Sequence, residues 1–164
     1  MPELTSLEHL QPCLLDRLTD DVPGSAQESR AQRVVSHQRY RQGVLRDLEW
    51  LLNTGAPLPE DGRFKLRDFP EAQKSVLNYG MRHIAGLTAP NMDVLCREMM
   101  EVIRVFEPRI DPATLSVAAS MERNMIFFEI RGELWARPMP EQLFLKTQMD
   151  LEVGLCVIGD RAHG

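Results

Sequence analysis

The strongest constraint on this chain is a change of hydrophobic period near Pro112. Before it, apolar residues recur at helical spacing; after it, they alternate. The spacing of Val44, Leu45, Leu48, Leu51 and Leu52 predicts a helix over 36–53, with Ser36 as its N-cap. Asn53, Gly55 and Pro57 supply its stop signals. A second helix, capped by Thr88 or Asn91, presents Val94, Leu95, Met99, Val102, Ile103 and Phe106 on one face. Pro108 ends it, because proline lacks an amide proton and crowds the preceding turn. Beyond Pro112, Leu115, Val117 and Ala119 share one side, as do Ile126, Phe128 and Ile130, against Phe127, Glu129, Arg131 and Glu133. Leu143, Leu145, Thr147, Met149 and Leu151 then face inward, with Lys146, Gln148 and Asp150 outward. A short last strand fits Val153–Ile158. One polar face per strand favours an antiparallel sheet with a solvated side. Helices first and strands second predict α+β: N-terminal helices packed on a small, mainly antiparallel sheet formed by the C-terminal half.

The flanks are less regular. Leu10, Leu14, Leu15 and Leu18 make a short apolar cluster, which packs on the body or orders on a partner. A polar stretch with Pro23-Gly24 follows it. Residues 1–33 thus read as a docking segment with a flexible connector, and 34–160 as one domain. Residues 54–70 hold three prolines and two glycines and predict a long surface connection. The stretch 69–80 predicts a short helix or turn closed by Gly80. On the first helix, Arg39, Arg41, Arg46, Asp47 and Glu49 read as a solvated face. Gly43 within it costs about 1 kcal/mol against alanine unless a close neighbour needs the space.

Composition narrows the function classes. The chain has 164 residues, 43% hydrophobic and 26% charged, as expected of one globular domain. A net charge of -5 argues against a general grip on nucleic acid. No apolar run reaches the ~20 residues of a membrane helix, and the first ten residues lack a secretory pattern, so a cytoplasmic protein is expected. Cys13, Cys96 and Cys156 have neither pairing number nor metal spacing, and His9, His37, His83 and His163 are scattered. No metal or cofactor is expected. Nucleotide-binding and hydrolase motifs are absent. The one catalytic idea with content is a peptidoglycan hydrolase built on Glu107 with Glu129, Glu133 or Asp150. Arg109 beside Glu107, and the lack of an aromatic cluster for sugar, count against it.

Glu107-Pro108-Arg109 poses the sharper question. The pair is either a local ion pair at a helix end or a hook, since arginine offers five donors in a fixed fork. Residue physics leaves both open.

Four stretches together, "LLDRL", "YRQGVLRDLEWLLNT", "SVLNYG" and "IRVFEPRI", with the alternating strands after them, resemble the TssE family over about residues 14–158. These are small baseplate subunits of bacterial type VI secretion systems, related to sheath-initiating wedge proteins of contractile phage tails and once labelled lysozyme-like. The sequence departs from the family where Met81-Arg82-His83 replaces a usual Leu-Pro-Asp. The resemblance implies a non-enzymatic protein that joins wedge subunits TssF and TssG, with TssK a further candidate. It also implies a start for the sheath of TssB and TssC. The implied contact residues are Glu107, Pro108 and Arg109; Leu14, Leu15, Arg17 and Leu18; and Asn78, Tyr79 and Gly80. A strand within 143–158, carrying Lys146 and Gln148, is expected at a sheet edge, open to a sheath strand.

Overall fold

The structure is a computed structural model that describes residues 13–19, 36–56, 68–82, 90–135 and 140–160. Helix α1 is Leu14–Leu18 and α2 is His37–Asn53. A short α3, Pro70–Gln73, leads into a 3-10 turn at Val76–Asn78, and α4 is Met92–Phe106. Four strands follow: β1 Ser116–Glu122, β2 Met125–Leu134, β3 Glu141–Asp150 and β4 Cys156–Asp160. They form one antiparallel meander in the order β1-β2-β3-β4. The expected α+β arrangement is the observed one. Leu10, the 20–35 connector, residues 57–67, Thr88 and most of the 81–87 loop lie outside the described residues.

Local chemistry sets the helix ends. The Ser36 hydroxyl accepts from the Arg39 amide at 3.2 Å. The Asn91 side chain accepts from the Asp93 and Val94 amides, making Asn91 the cap of α4. Capping satisfies amides that lack a partner in the first helical turn. α4 stops at Phe106, two residues before Pro108, as expected.

The core lies between the helices and the inner sheet face. Val44, Leu48, Met99, Ile103, Ile126, Phe128, Ile130 and Leu145 are fully buried. Val94 departs from expectation and is 45% exposed, because Leu95, Met99 and Ile103 take the i, i+4, i+8 line that meets the core. The last strand also begins later than its sequence suggests. Asp150 accepts from the Glu152 and Val153 amides, closing a turn that occupies Val153 before the chain returns as β4.

Gly80 has φ +112, in the region that favours glycine, and a Cβ there would lie 2.2 Å from the Thr54 carbonyl oxygen. The tight approach lets Met81 exchange backbone bonds with Thr54 and Ala56, at 2.9 and 2.8 Å. Gly80→Ala should therefore destabilise the fold by about 2–3 kcal/mol, read as a lowered urea midpoint. An unchanged midpoint would mean that the strand bridge does not depend on this geometry.

Candidate functional site

The site is built where α4 ends. Pro108 turns the chain so that residues 109–111 run beside the end of β2. Trp135 donates its amide to the Arg109 carbonyl at 2.7 Å, and Asp111 donates to Glu133 at 2.8 Å. The Tyr40 hydroxyl donates to the Trp135 carbonyl at 3.0 Å and so ties α2 to the same corner. These bonds fix the backbone from which Arg109 projects.

Arg109 then reaches back under α4 and across to α2. Its Nε and backbone amide donate to Glu107 Oε1 at 2.6 and 3.2 Å, and its Nη2 donates to Glu107 Oε2. Nη2 also meets Asp47 Oδ2 at 2.6 Å. Glu107 is 2% exposed. Burial works against the charge of Arg109, but Glu107 and Asp47 outweigh it and push the guanidinium pKa above its ordinary value. The local ion pair is thus present, and both Glu107 oxygens are engaged within the chain.

The network continues outward. Asp47 Oδ1 accepts from Arg46 Nε and Nη2 at 2.9 and 2.7 Å. Arg46 Nη1 donates to Asp16 Oδ1 at 2.5 Å, which seats α1 against α2. Cys13 donates its thiol to Asp16 Oδ2 at 3.0 Å. Burial works to raise the Asp16 carboxyl, but the bonds from Arg46 and Cys13 outweigh it and leave the pKa below the ordinary 3.8. The chain of groups Glu107–Arg109–Asp47–Arg46–Asp16 therefore alternates in sign from the core to the surface. Gly43 faces this network: a Cβ there would approach Asp16 Oδ2 to 3.2 Å, closer than usual, and Arg109 Nη1 to an ordinary contact of 3.8 Å.

One expectation changes and one open choice narrows. Arg46 and Asp47 belong to this part-buried relay rather than a solvated face, and Arg41 bonds Glu141 at 2.9 Å with 15% of its side chain exposed. The α1 leucines do not dock on the body. Leu14 and Leu18 are 69% and 74% exposed and Leu15 is exposed too, because α1 is held by its polar residues.

Other implied contact residues divide. Tyr79 packs edge-on against Phe106 with ring centroids 5.3 Å apart. Burial, with Asp47 and Glu107 acting in the same direction, raises its phenol pKa. Asn78 itself donates to the Gln73 carbonyl at 2.9 Å. The side chain of Arg17 lies outside the described residues. Lys146 and Gln148 do not join the site. β3 is paired on both sides, with Lys146 opposite Glu129 and Gly159, and Gln148 opposite Phe127 and Val157. The expected edge position for these two is therefore wrong: β4 takes the outer place.

The carboxylates of the hydrolase idea are committed elsewhere. Glu129 lies on the outer sheet face, where Lys146 at 2.7 Å, ahead of Arg131 at 3.2 Å, holds its carboxyl below the usual range. Glu133 accepts from Gln142, and Asp150 closes its own turn. Sequence reasoning passed over Asp16, Arg46 and Asp47 as members of the site. Gly43 was the available signal, since an unexplained glycine in a helix marks a close neighbour.

A sequence model of the baseplate wedge protein gp25 family matches residues 38–139, from α2 through the end of β2. The chain belongs to that family. No curated protein matches the sequence. Family membership bears out the resemblance read from the sequence and gives this wedge-family chain a structural role in a baseplate. The whole relay except Asp16 and Cys13 falls inside the matched span.

Arg109→Ala should cost about 3–5 kcal/mol, since it leaves Glu107 buried without its counter-charge. Arg46→Ala, removing a group with a third of its side chain exposed, should cost clearly less. Paired urea titrations check the order, and equal losses would contradict it. The depressed Asp16 pKa gives α1 seating a pH dependence. Its contribution is present above the ordinary 3.8 and is lost as pH falls through the lower folded value. Hydrogen exchange of the α1 amides at pH 5 and pH 2.5 should show weaker protection at the lower value.

Proposed function

We propose that this chain is a structural subunit of a type VI secretion baseplate, joining wedge subunits TssF and TssG and starting the sheath of TssB and TssC. TssK is a further wedge-side candidate. The observation that carries the reading is the presentation of α1. A five-residue helix is too short to persist alone, yet here it is held by Asp16 and Cys13 with its leucines turned outward. Glu107 and Arg109 anchor the other end of the same relay in the core. In this reading Glu-Pro-Arg acts as the rigid base of the docking surface, and Leu14, Leu15 and Leu18 are its apolar contacts. A contiguous exposed apolar face suits a protein partner.

This reading is of a non-enzymatic protein acting in the cytoplasm, at a secretion baseplate on the inner membrane. Both Glu107 oxygens already hold Arg109, and the carboxylates considered with it each hold other groups. No helix among the described residues is long and apolar enough to cross a membrane.

Leu14→Ser with Leu18→Ser should leave stability within about 0.5 kcal/mol, because both side chains are exposed. The same double variant should lower co-purification with a TssF–TssG complex at least about tenfold, equivalent to about 1.4 kcal/mol. Retention at the wild-type level would overturn the docking role of α1. Purified protein should leave the turbidity of a cell-wall suspension unchanged, and clearing that is lost in Glu107→Gln would restore the hydrolase.

A further inference from the structure

The outer face of the sheet has two halves of different chemistry. It is made by the odd positions of β2 and β4 and the even positions of β3, which the register sets side by side. Towards the start of β3, Phe144 is covered by cations of its own chain. The head groups of Arg131 and Lys146 stand 5.0 and 6.0 Å from its ring centre. Glu129 pairs with both of these cations, so this half satisfies itself.

The described residues leave the other half uncovered. Phe127 lies opposite Gln148, and Gln148 opposite Val157. Met125 lies opposite Asp150, whose amide donates to the Leu155 carbonyl. Val157 and Leu155 are 54% and 53% exposed, and Val153 in the preceding turn is 71% exposed. Met125 and Phe127 are half-buried. No cation among the described residues stands over Phe127. The apolar groups thus form two lanes, Leu155 with Val157 and Met125 with Phe127, and Gln148 lies between them. Two strand spacings separate the lanes, roughly 9.5 Å. One α-helix is about as wide, roughly 10 Å with its side chains. A helix laid along β3 therefore reaches both lanes.

Charge at the rim specifies the kind of helix. Glu122 ends β1, Asp150 ends β3, and Glu152 stands in the turn that follows. Asp150 and Glu152 accept from neutral donors, the Glu152 amide and the Asn124 side chain, both at 2.7 Å. None of the three carboxylates is in an ion pair among the described residues. Arg123, in the turn after Glu122, offsets one of the three charges. A surplus of negative charge therefore borders the apolar lanes, in a chain whose net charge is already -5.

We propose that this half of the outer sheet face is a docking surface for an amphipathic helix of another protein, one with lysine or arginine flanking its apolar stripe. Apolar side chains at helical spacing fill the two lanes, and the basic flank faces Glu122, Asp150 and Glu152. The surface lies on the sheet, whereas α1 is seated on α2, so the inference does not rest on the baseplate reading.

The test titrates isotope-labelled full-length protein with two synthetic amphipathic helices, one of leucine and lysine, the other with glutamate in place of every lysine. The leucine–lysine helix should shift the amide signals of Met125, Phe127, Gln148 and Val157. It should bind at least about tenfold more tightly than its glutamate counterpart, and added salt should weaken it. Leu155→Thr with Val157→Thr keeps side chains suited to a strand and should weaken binding at least about tenfold. Glu122→Gln with Glu152→Gln should weaken it about threefold and flatten the salt dependence. Leu14→Ser with Leu18→Ser should leave it unchanged.

The map of shifted signals is read on the wild type, so it stands whatever the variants do to the fold. Failure of the leucine–lysine helix to bind, equal binding of the two helices, or shifts confined to α1 overturns the inference. Affinity unmoved by the β4 pair of substitutions overturns it too. A wild-type dimer by sedimentation that the β4 pair dissolves makes a second copy the occupant, which also overturns it.

Discussion

Arg109 is the group on which the arrangement of this molecule turns. A carboxylate buried as deeply as Glu107 is costly without a counter-charge, and the arginine two residues later supplies it across the rigid Pro108 turn. The fork has donors to spare, so the same guanidinium also grips Asp47 on α2. Helix α4, the first core-facing turn beyond it and helix α2 are thereby joined at one point. Replacing the relay with apolar residues could yield an equally stable core, since buried ion pairs seldom add net stability. Their gain here is geometric: charges in a fixed fork specify one relative placement of the elements that carry them.

That placement extends to the surface through Asp47. Its two oxygens serve different arginines, one belonging to the core and one to the α1 seat. In this member of the baseplate wedge family the charged side chains of Glu107 and Arg109 are thus engaged by groups of their own chain. What faces outward near them is α1, with leucines that the body leaves uncovered. Interpreting a charged motif as a contact therefore requires asking first what it holds within its own chain.

Much of this was legible in the residues. The change of period at Pro112 separated helices from strands. The inner positions Ile126, Phe128, Ile130, Leu143, Leu145, Thr147 and Met149 are all buried as their alternation predicts. Alternation reports which face a residue takes, however, and carries no information on which strand lies beside which. That is why β3 could be mistaken for an edge. The relay was hidden for a related reason: Asp47 and Arg109 lie 62 positions apart, and Gly43 on α2 signals a close neighbour without saying which residue it is. Asn53 was read correctly as a helix stop, and its second task at β4 needed the tertiary structure.

The meander has a bearing on how the chain reaches this state. Each of its strands pairs with its sequence neighbour, so the sheet can assemble from hairpins with short loop closures. Asn53 and Cys156, by contrast, meet across 103 positions. Joining them is the entropically dear closure, and in the order of events it belongs after the hairpins. For as long as α2 is undocked, a nascent β4 leaves the Cys156 amide and carbonyl without these partners. Arrival of α2 thereby couples completion of the helical layer to satisfaction of the outermost strand.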